Sequence, residues 1–267
     1  MVFPAEFWLV AAVSFLISAI GFKEYIWFFS IGYGFAIAGA GVLLLSLYWN
    51  SLTPGTALCC VLLVIYGCRL GGYLAYREAK LKSYHKHVGS EIKDSKTIPF
   101  FVKVSIWIAC AVLYVAMVAP VFYRMNNGSA DNVWTWVGAA LILIGFVMEA
   151  EADREKKNAK AKNAGRFVDT GLYRIVRCPN YLGELILWTG VLVVGFGTLT
   201  GIGQWVIAIL GYIGIVYVMF SGARRLELRQ NRTYGADPEY QTYSTTVPIL
   251  LPLIPLYSVV RYKWLVA

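Results

Sequence analysis

Residues 99–123 read PFFVKVSIWIACAVLYVAMVAPVFY, an apolar run whose single charge is Lys103. The hydrocarbon core of a bilayer is about 30 Å thick, and about 20 helical residues are needed to cross it. Apolar runs of that length recur along the chain, without the periodicity of a half-buried strand or a soluble helix. The predicted spans are residues 3–22, 25–48, 54–76, 99–123, 133–150, 182–199 and 202–221. The sequence therefore predicts an all-α, multi-pass transmembrane helix bundle of about seven spans.

The composition of the chain agrees with this class. Apolar residues make up 58% of the sequence and charged residues 15%, and the mean hydropathy is +0.60. These values lie outside the usual range of a soluble domain. Without an internal repeat or a low-complexity linker, residues 1–267 are predicted to form a single membrane domain. The five cysteines lie in or beside apolar runs without metal-ligand spacing, so no metal site is predicted.

The basic residues predict the orientation of the bundle. With the N-terminus outside, those of residues 77–98, of residues 151–177 and of the segment after residue 221 fall on one side, whereas the opposite loops hold little beyond Arg124. Basic loops face the cytosol, so the C-terminus is predicted to be cytosolic. The net charge of +9 is concentrated in these loops, which favours the lipid bilayer over nucleic acid as a partner. The membrane would be the bacterial inner membrane, or the endoplasmic reticulum in a eukaryote.

Ionisable residues within or beside the spans are the first functional candidates, because a charge inside a membrane is costly. Arg69 lies one helical turn after Tyr66, on the same face of the third span. Residues 149–184 read EAEADREKKNAKAKNAGRFVDTGLYRIVRCPNYLGE, in which Glu149 and Asp153 share one face of a helix that leaves the membrane. The lysines of this segment are equally well explained as a positive-inside loop.

The second half of this segment has the residue types that bind a phosphorylated nucleotide. Arginine and lysine bind phosphate groups, and arginine does so with a bidentate fork. Tyrosines offer stacking surfaces and hydroxyl groups, while an amide or a carboxylate can bond a carboxamide or a ribose. The alternative interpretation of Glu184 is a carboxylate favoured at the start of a helix. The polar residues in this part are Tyr173, Arg174, Arg177, Asn180, Tyr181 and Glu184.

Residues 165–190, GRFVDTGLYRIVRCPNYLGELILWTG, resemble the C-terminal half of the steroid 5α-reductase family, especially its bacterial relatives. In those proteins an arginine-His-Pro-Asn-Tyr-x-Gly-Glu signature follows a glycine-leucine-aromatic-arginine run. The resemblance covers roughly residues 149–250. It implies a seven-helix membrane bundle that takes NADPH from the cytosolic side, with about residues 1–148 forming the substrate cavity and about residues 149–267 binding the cofactor.

The resemblance also implies roles for single residues. Asp153, Lys157, Lys160 and Arg166 would surround the adenosine and phosphates of NADPH. Asn180 and Glu184 would contact the nicotinamide end, with Tyr181 nearby. The remaining cofactor candidates are Tyr173, Arg174 and Arg177 in the loop and Arg225 and Tyr234 in the tail.

Tyr66 and Arg69, in IYGCRLGGYLAYR, resemble the tyrosine and arginine of the family's reaction centre. The implied reaction is conjugate reduction of a lipophilic enone that enters from the bilayer, with Tyr66 hydrogen-bonded to the carbonyl oxygen and strengthened by Arg69 or Glu24. The sequence departs from the family in three places. Cys178 replaces the histidine of the signature, Glu149 stands where the animal enzymes have asparagine, and the glutamine-glutamate pair of the second span is absent.

Two other functions are compatible with the sequence. Isoprenylcysteine carboxyl methyltransferases, which use S-adenosylmethionine, have a related arginine-His-Pro motif and a tail similar to residues 224–248, RRLELRQNRTYGADPEYQTYSTTVP. Of their glutamate pair, however, only Glu227 is present, and the basic run favours a cofactor with several phosphates. The third possibility is a lipid- or sterol-binding membrane protein without enzymatic activity.

Overall fold

The computed structural model of the protein describes residues 1–80 and 98–265. The regular structure of these residues is helical. Of the basic residues that the orientation argument placed between the third and fourth spans, Lys82, Lys86, Lys93 and Lys96 lie outside the described residues. Eight α-helices occur in the part that is described. They are α1 (Ala5–Ser18), α2 (Ile31–Leu47), α3 (Pro54–Lys80), α4 (Phe100–Asn126), α5 (Val133–Lys162), α6 (Pro179–Val194), α7 (Gly201–Tyr234) and α8 (Pro238–Thr246).

Within residues 1–80 and 98–265, six segments are long and apolar enough to cross a membrane, and they match six of the predicted spans. They are Ala5–Phe22, Tyr25–Leu47, Pro54–Ala79, Phe100–Asn126, Val133–Lys162 and Gly201–Tyr234. The span predicted at 182–199 is α6, a helix of 16 residues, which at 1.5 Å per residue is shorter than the hydrocarbon core. The helical class is confirmed and the six helices fit a multi-pass membrane protein. The count of seven spans and the orientation remain predictions.

Helices α5 and α7 extend well beyond the predicted spans. Helix α5 continues to Lys162 and α7 to Tyr234, whereas the predicted spans ended at residues 150 and 221. The predicted bounds were too short because they followed the ends of the apolar runs. The charged extensions consist largely of alanine, glutamate, lysine, leucine and arginine, which favour helix. Half of the candidate cofactor residues lie on these extensions or within a few residues of their ends.

The described residues divide into two compact units. The first comprises Met1–Ala139 and Val191–Tyr212, and the second comprises Ala140–Gly190 and Ile213–Ala267. The catalytic candidates Tyr66, Arg69 and Glu24 belong to the first unit. All of the cofactor candidates belong to the second.

Candidate catalytic and cofactor sites

In the first unit, glycines bring the backbones of α2 and α3 into direct contact. A Cβ atom added at Gly67 would lie 2.4 Å from the carbonyl oxygen of Gly34 and 2.6 Å from the amide nitrogen of Ala38. Small residues permit such close approach between membrane helices. The distance between α2 and α3 therefore depends on the absence of side chains at these glycines.

This approach joins two buried tyrosines, each of which directly precedes one of the glycines. The hydroxyl groups of Tyr33 and Tyr66 are 2.8 Å apart, and both residues are buried. The Tyr33 ring lies 5.2 Å from that of Tyr114, whose hydroxyl donates a hydrogen bond of 2.6 Å to the carbonyl of Phe28. The candidate acid Tyr66 thus belongs to a cluster of three buried tyrosines.

Sequence reasoning found Tyr66 but missed its partners Tyr33 and Tyr114. A signal was present, since the dipeptide Tyr-Gly occurs in both the second and the third spans. Arg69 is half-buried on α3, and Glu24 is exposed where the 3₁₀ turn Tyr25–Phe28 begins. The contact that the structure shows for the Tyr66 hydroxyl is therefore with a second phenol, which comes from α2.

In the second unit, the cofactor candidates on α5 lie on one face of the helix, opposite to the face that lines a cleft. Asp153, Lys157 and Lys160 are spaced four and three residues apart and share one face. The other face and the loop after α5 line a cleft of about 440 Å³. Acidic and basic side chains both line the cleft, including Glu151, Glu155, Asp169, Arg154, Lys162 and Arg166. Of the four residues predicted around adenosine and phosphate, Arg166 lies on the cleft and the other three face away from it.

Lys160 nevertheless connects three of the predicted segments. Its ammonium group donates hydrogen bonds to the Tyr234 hydroxyl at 2.7 Å, to the Arg166 carbonyl at 2.5 Å and to the Ala164 carbonyl at 3.1 Å. The ammonium nitrogen also lies 5.2 Å from the centre of the Tyr234 ring. Residues of α5, of the loop and of the end of α7 thus meet at one positive charge.

The Arg166 side chain is held by two carboxylates and an aromatic ring. It forms ion pairs with Glu239 and, at 2.8 Å, with Asp169, and its guanidinium lies over the Phe167 ring. The hydrogen bonds to Glu239 and then to Asp169 raise the pKa of the guanidinium, so that it stays charged. Because both partners are exposed or half-buried, an anionic ligand could replace one of them at low cost.

The loop before α6 is fixed by hydrogen bonds from α5. Gly171 has φ +59°, and a Cβ atom there would lie 2.0 Å from a carboxylate oxygen of Glu155. That carboxylate instead accepts a hydrogen bond of 2.9 Å from the Leu172 amide. Tyr173 is buried, donates to the Ala152 carbonyl at 3.2 Å, and burial raises its pKa. Tyr173 therefore packs inside the unit, whereas its neighbour Arg174 is exposed.

Arg177 forms a buried ion pair in this unit. Its guanidinium lies 3.0 Å from the Glu227 carboxylate, and both side chains are almost fully buried. It also donates to the Tyr257 carbonyl, while Glu227 accepts a hydrogen bond of 2.9 Å from the Val259 amide. The structure thus places Arg177 in a link between the loop, α7 and the C-terminal segment.

The start of α6 gathers the candidates for the nicotinamide end. A Cβ atom at Gly183 would lie 2.7 Å from the Glu149 amide nitrogen and 2.8 Å from the Gly145 carbonyl, so α6 and α5 touch backbone to backbone. Glu149 and Glu184 are both buried beside this contact.

The Tyr181 ring lies against α7. A Cβ atom at Gly222 would lie 3.2 Å from the Tyr181 hydroxyl. Arg225 and Glu184 are within electrostatic range of that hydroxyl, and Asn180 is half-buried one residue earlier. Glu184 and Arg225 therefore both lie within electrostatic range of Tyr181.

Comparison with known proteins assigns the chain to a family. The model of the family described as protein of unknown function (DUF1295) matches residues 14–247. The chain belongs to this family. An uncharacterized protein of Schizosaccharomyces pombe is 27% identical over 176 residues, which cover 58% of this chain and 48% of that protein.

The steroid 5-alpha-reductase DET2 of Arabidopsis thaliana is 33% identical over 66 residues, 22% of this chain and 25% of that protein. The chain therefore spans about half the length of the first of these curated relatives and a quarter of the second. No solved structure matches the chain. This member of DUF1295 is thus similar to a steroid 5-alpha-reductase over a limited part of its length.

Proposed function

We propose that the protein is an NADPH-dependent membrane reductase of a carbon-carbon double bond conjugated to a carbonyl group in a lipophilic substrate. The observation that carries the proposal is the meeting of Lys160, Tyr234 and the Arg166 backbone in the second unit. These residues come from three separate segments of the chain, and the family resemblance names all three for one cofactor. The similarity to a steroid 5-alpha-reductase supports the same class.

The side chains of the second unit fit NADPH in their chemistry. Lys157 is exposed on the face of α5 that also holds Lys160, and Arg166 keeps its charge in an accessible position, so cations are available for phosphates. Tyr181, Glu184 and Arg225 would hold the polar end of the nicotinamide. When bound, NADPH would supply the hydride. The protein positions the cofactor and excludes water.

The Tyr33–Tyr66 pair would supply the acid. In this role the Tyr33 hydroxyl would donate to the Tyr66 oxygen, and the Tyr66 hydroxyl would donate to a substrate carbonyl oxygen. Hydride addition to the β-carbon would place negative charge on the carbonyl oxygen, which would take the Tyr66 proton and give an enol that tautomerises to the saturated ketone. A hydrogen bond from Tyr33 would stabilise the Tyr66 phenolate until water returns a proton to it. Tyr33 would thus act on Tyr66 from the second span, in which the glutamine-glutamate pair of the steroid enzymes is absent.

Reductase activity can be tested with the purified protein in lipid nanodiscs. NADPH oxidation is followed by absorbance in the presence of lipophilic enones, including cholest-4-en-3-one. We expect Tyr66→Phe to lower kcat by about 100-fold or more, because proton donation typically contributes that much. Tyr76→Phe, an exposed tyrosine on the same helix, is the matched control. Equal rates for Tyr66→Phe and the control would exclude Tyr66 as the acid.

The methyltransferase alternative depends on Glu227. That carboxylate is buried between Arg177 and the Val259 amide, where it stabilises the fold. Nothing in the described residues favours this alternative over the reductase.

A further inference from the structure

The segment after α8 forms a short loop held at its base. The carbonyl of Pro248 accepts a hydrogen bond of 2.9 Å from the Arg177 amide, and that of Ile249 accepts one of 3.0 Å from Cys178. The Ile249 amide in turn donates to the Leu256 carbonyl at 2.8 Å. Residues 249–256 therefore form a loop whose base lies beside the start of the apolar helix α6.

The rest of the segment runs antiparallel to α7. The Val259 amide bonds Glu227, the Val260 carbonyl accepts a bond of 3.2 Å from Arg224, and the Trp264 carbonyl accepts one of 3.0 Å from Tyr217. From Glu227 to Tyr217 the helix covers about 15 Å at 1.5 Å per residue. Arg224 also donates to the Leu265 carbonyl at 3.1 Å. The end of the segment therefore turns around the Arg224 and Tyr217 side chains, beside the boundary of the apolar part of α7.

Helix α7 gives the depth of the segment in a bilayer. Its apolar part is the predicted span 202–221, and its first charges are Arg224 and Arg225. Tyr217 therefore lies within the apolar part and Glu227 beyond it. Trp264, which bonds to Tyr217, is placed at the level of the acyl chains nearest the headgroups.

The outward side chains of the segment suit a membrane interface. Leu253 is 96% exposed at the tip of the loop, and Trp264 is 66% exposed. Arg261 and Lys263, both exposed, flank Tyr262 near the end. Tryptophan and tyrosine are enriched at membrane interfaces, and basic side chains extend from there to the headgroups.

We propose that residues 250–265 are an interfacial anchor that contacts the lipid headgroups and upper acyl chains on the side where α7 becomes charged. Leu253, Ile254 and Trp264 enter the apolar zone, while Arg261 and Lys263 bind anionic headgroups. The partner is lipid for two reasons. The segment is hydrogen-bonded to α7 where that helix changes from apolar to charged, and its exposed residues change from apolar to basic over a short distance. This inference is independent of the proposed function.

Spin labelling of the full chain in nanodiscs of phosphatidylcholine and phosphatidylglycerol tests the anchor. The background is Cys68→Ser, since Cys68 is the exposed one among the five cysteines and the other four are buried. Labels are attached at Leu253→Cys and Trp264→Cys, and at Thr245→Cys, an exposed position on α8, as the aqueous control. Collisions with oxygen, which partitions into lipid, are compared with collisions with a water-soluble nickel complex.

We expect the oxygen-to-nickel ratio at Leu253 and Trp264 to exceed that at Thr245 several-fold. A ratio at Leu253 equal to that at Thr245 would place the tip in water and overturn the proposal. A label at Leu253 shielded from both reagents would show that protein covers it, which also overturns the proposal. The result at Leu253 decides between these outcomes, because this side chain is 96% exposed and its replacement removes no packing contact.

Discussion

Replacing Gly67 by alanine should separate α2 from α3 and break the tyrosine pair. The new Cβ atom would lie 2.4 Å from the Gly34 carbonyl oxygen, whereas ordinary contact begins at 3.4 Å. Both neighbours are backbone atoms, so the helices must move apart by about 1 Å. The Tyr33–Tyr66 distance would then grow from 2.8 Å to about 3.8 Å, which is too long for a hydrogen bond.

The expected loss of stability has two parts. Overpacking costs roughly 1–3 kcal/mol, and loss of a buried hydrogen bond about 0.5–1.5 kcal/mol. The free energy of unfolding, measured by titration of mixed micelles with sodium dodecyl sulfate, should therefore fall by roughly 2–4 kcal/mol. Gly72→Ala is the matched control, because a Cβ atom there meets nothing within 4 Å.

A double-mutant cycle isolates the contribution of the Tyr33–Tyr66 hydrogen bond to stability. In a Tyr33→Phe background the hydrogen bond is already absent, so Gly67→Ala should cost less than in the parent protein. Equal stability of Gly67→Ala and Gly72→Ala would refute the close backbone contact. An equal cost of Gly67→Ala in both backgrounds would refute its link to the Tyr33–Tyr66 bond.

Three further outcomes are expected. Arg177→Met should lower the free energy of unfolding by about 3–5 kcal/mol, because it leaves the buried Glu227 carboxylate without its partner; the same titration measures this, and a loss no larger than that of exposed Arg174→Met would contradict it. Burial raises the pKa of the Cys178 thiol to about 12, so iodoacetamide should not modify this thiol at pH 8 unless the protein is unfolded. The stability that comes from keeping the thiol neutral should be complete below about pH 9 and should decline as the pH rises towards 12. The Asn127 side chain, which begins an Asn-x-Ser sequon, donates to the Thr198 carbonyl at 2.8 Å and to Gln204 at 3.0 Å; expressed in a eukaryotic membrane, the chain should show no mobility shift after endoglycosidase treatment.

Hydropathy was sufficient to predict the helical class and the positions of six long apolar helices, because the cost of exposing polar groups to lipid acts on whole segments. It could not predict how far α5 and α7 continue, since a charged helix outside the membrane follows helix propensity. For α6 the predicted span extended too far. Apolar residues continue after Val194 up to the predicted end at residue 199, but the helix ends at Val194.

The candidate sites were predictable where a motif is local in sequence. The glycine and glutamate of the α6 signature, Gly183 and Glu184, are adjacent, and the structure shows why a glycine is needed beside α5. The Tyr33–Tyr66 and Arg177–Glu227 pairs join residues 33 and 50 positions apart. Such pairs depend on which helix faces meet, and a single sequence does not contain that information.

The most direct test of the reductase account is calorimetric titration of the detergent-purified protein with NADPH, with NADH and S-adenosylmethionine in parallel. We predict that NADPH binds and that Lys160→Ala weakens binding at least about tenfold, or 1.4 kcal/mol. Lys162→Ala, on the opposite face of the same helix, should leave the affinity unchanged. Absence of NADPH binding by the folded protein, or binding of S-adenosylmethionine in its place, would contradict the account.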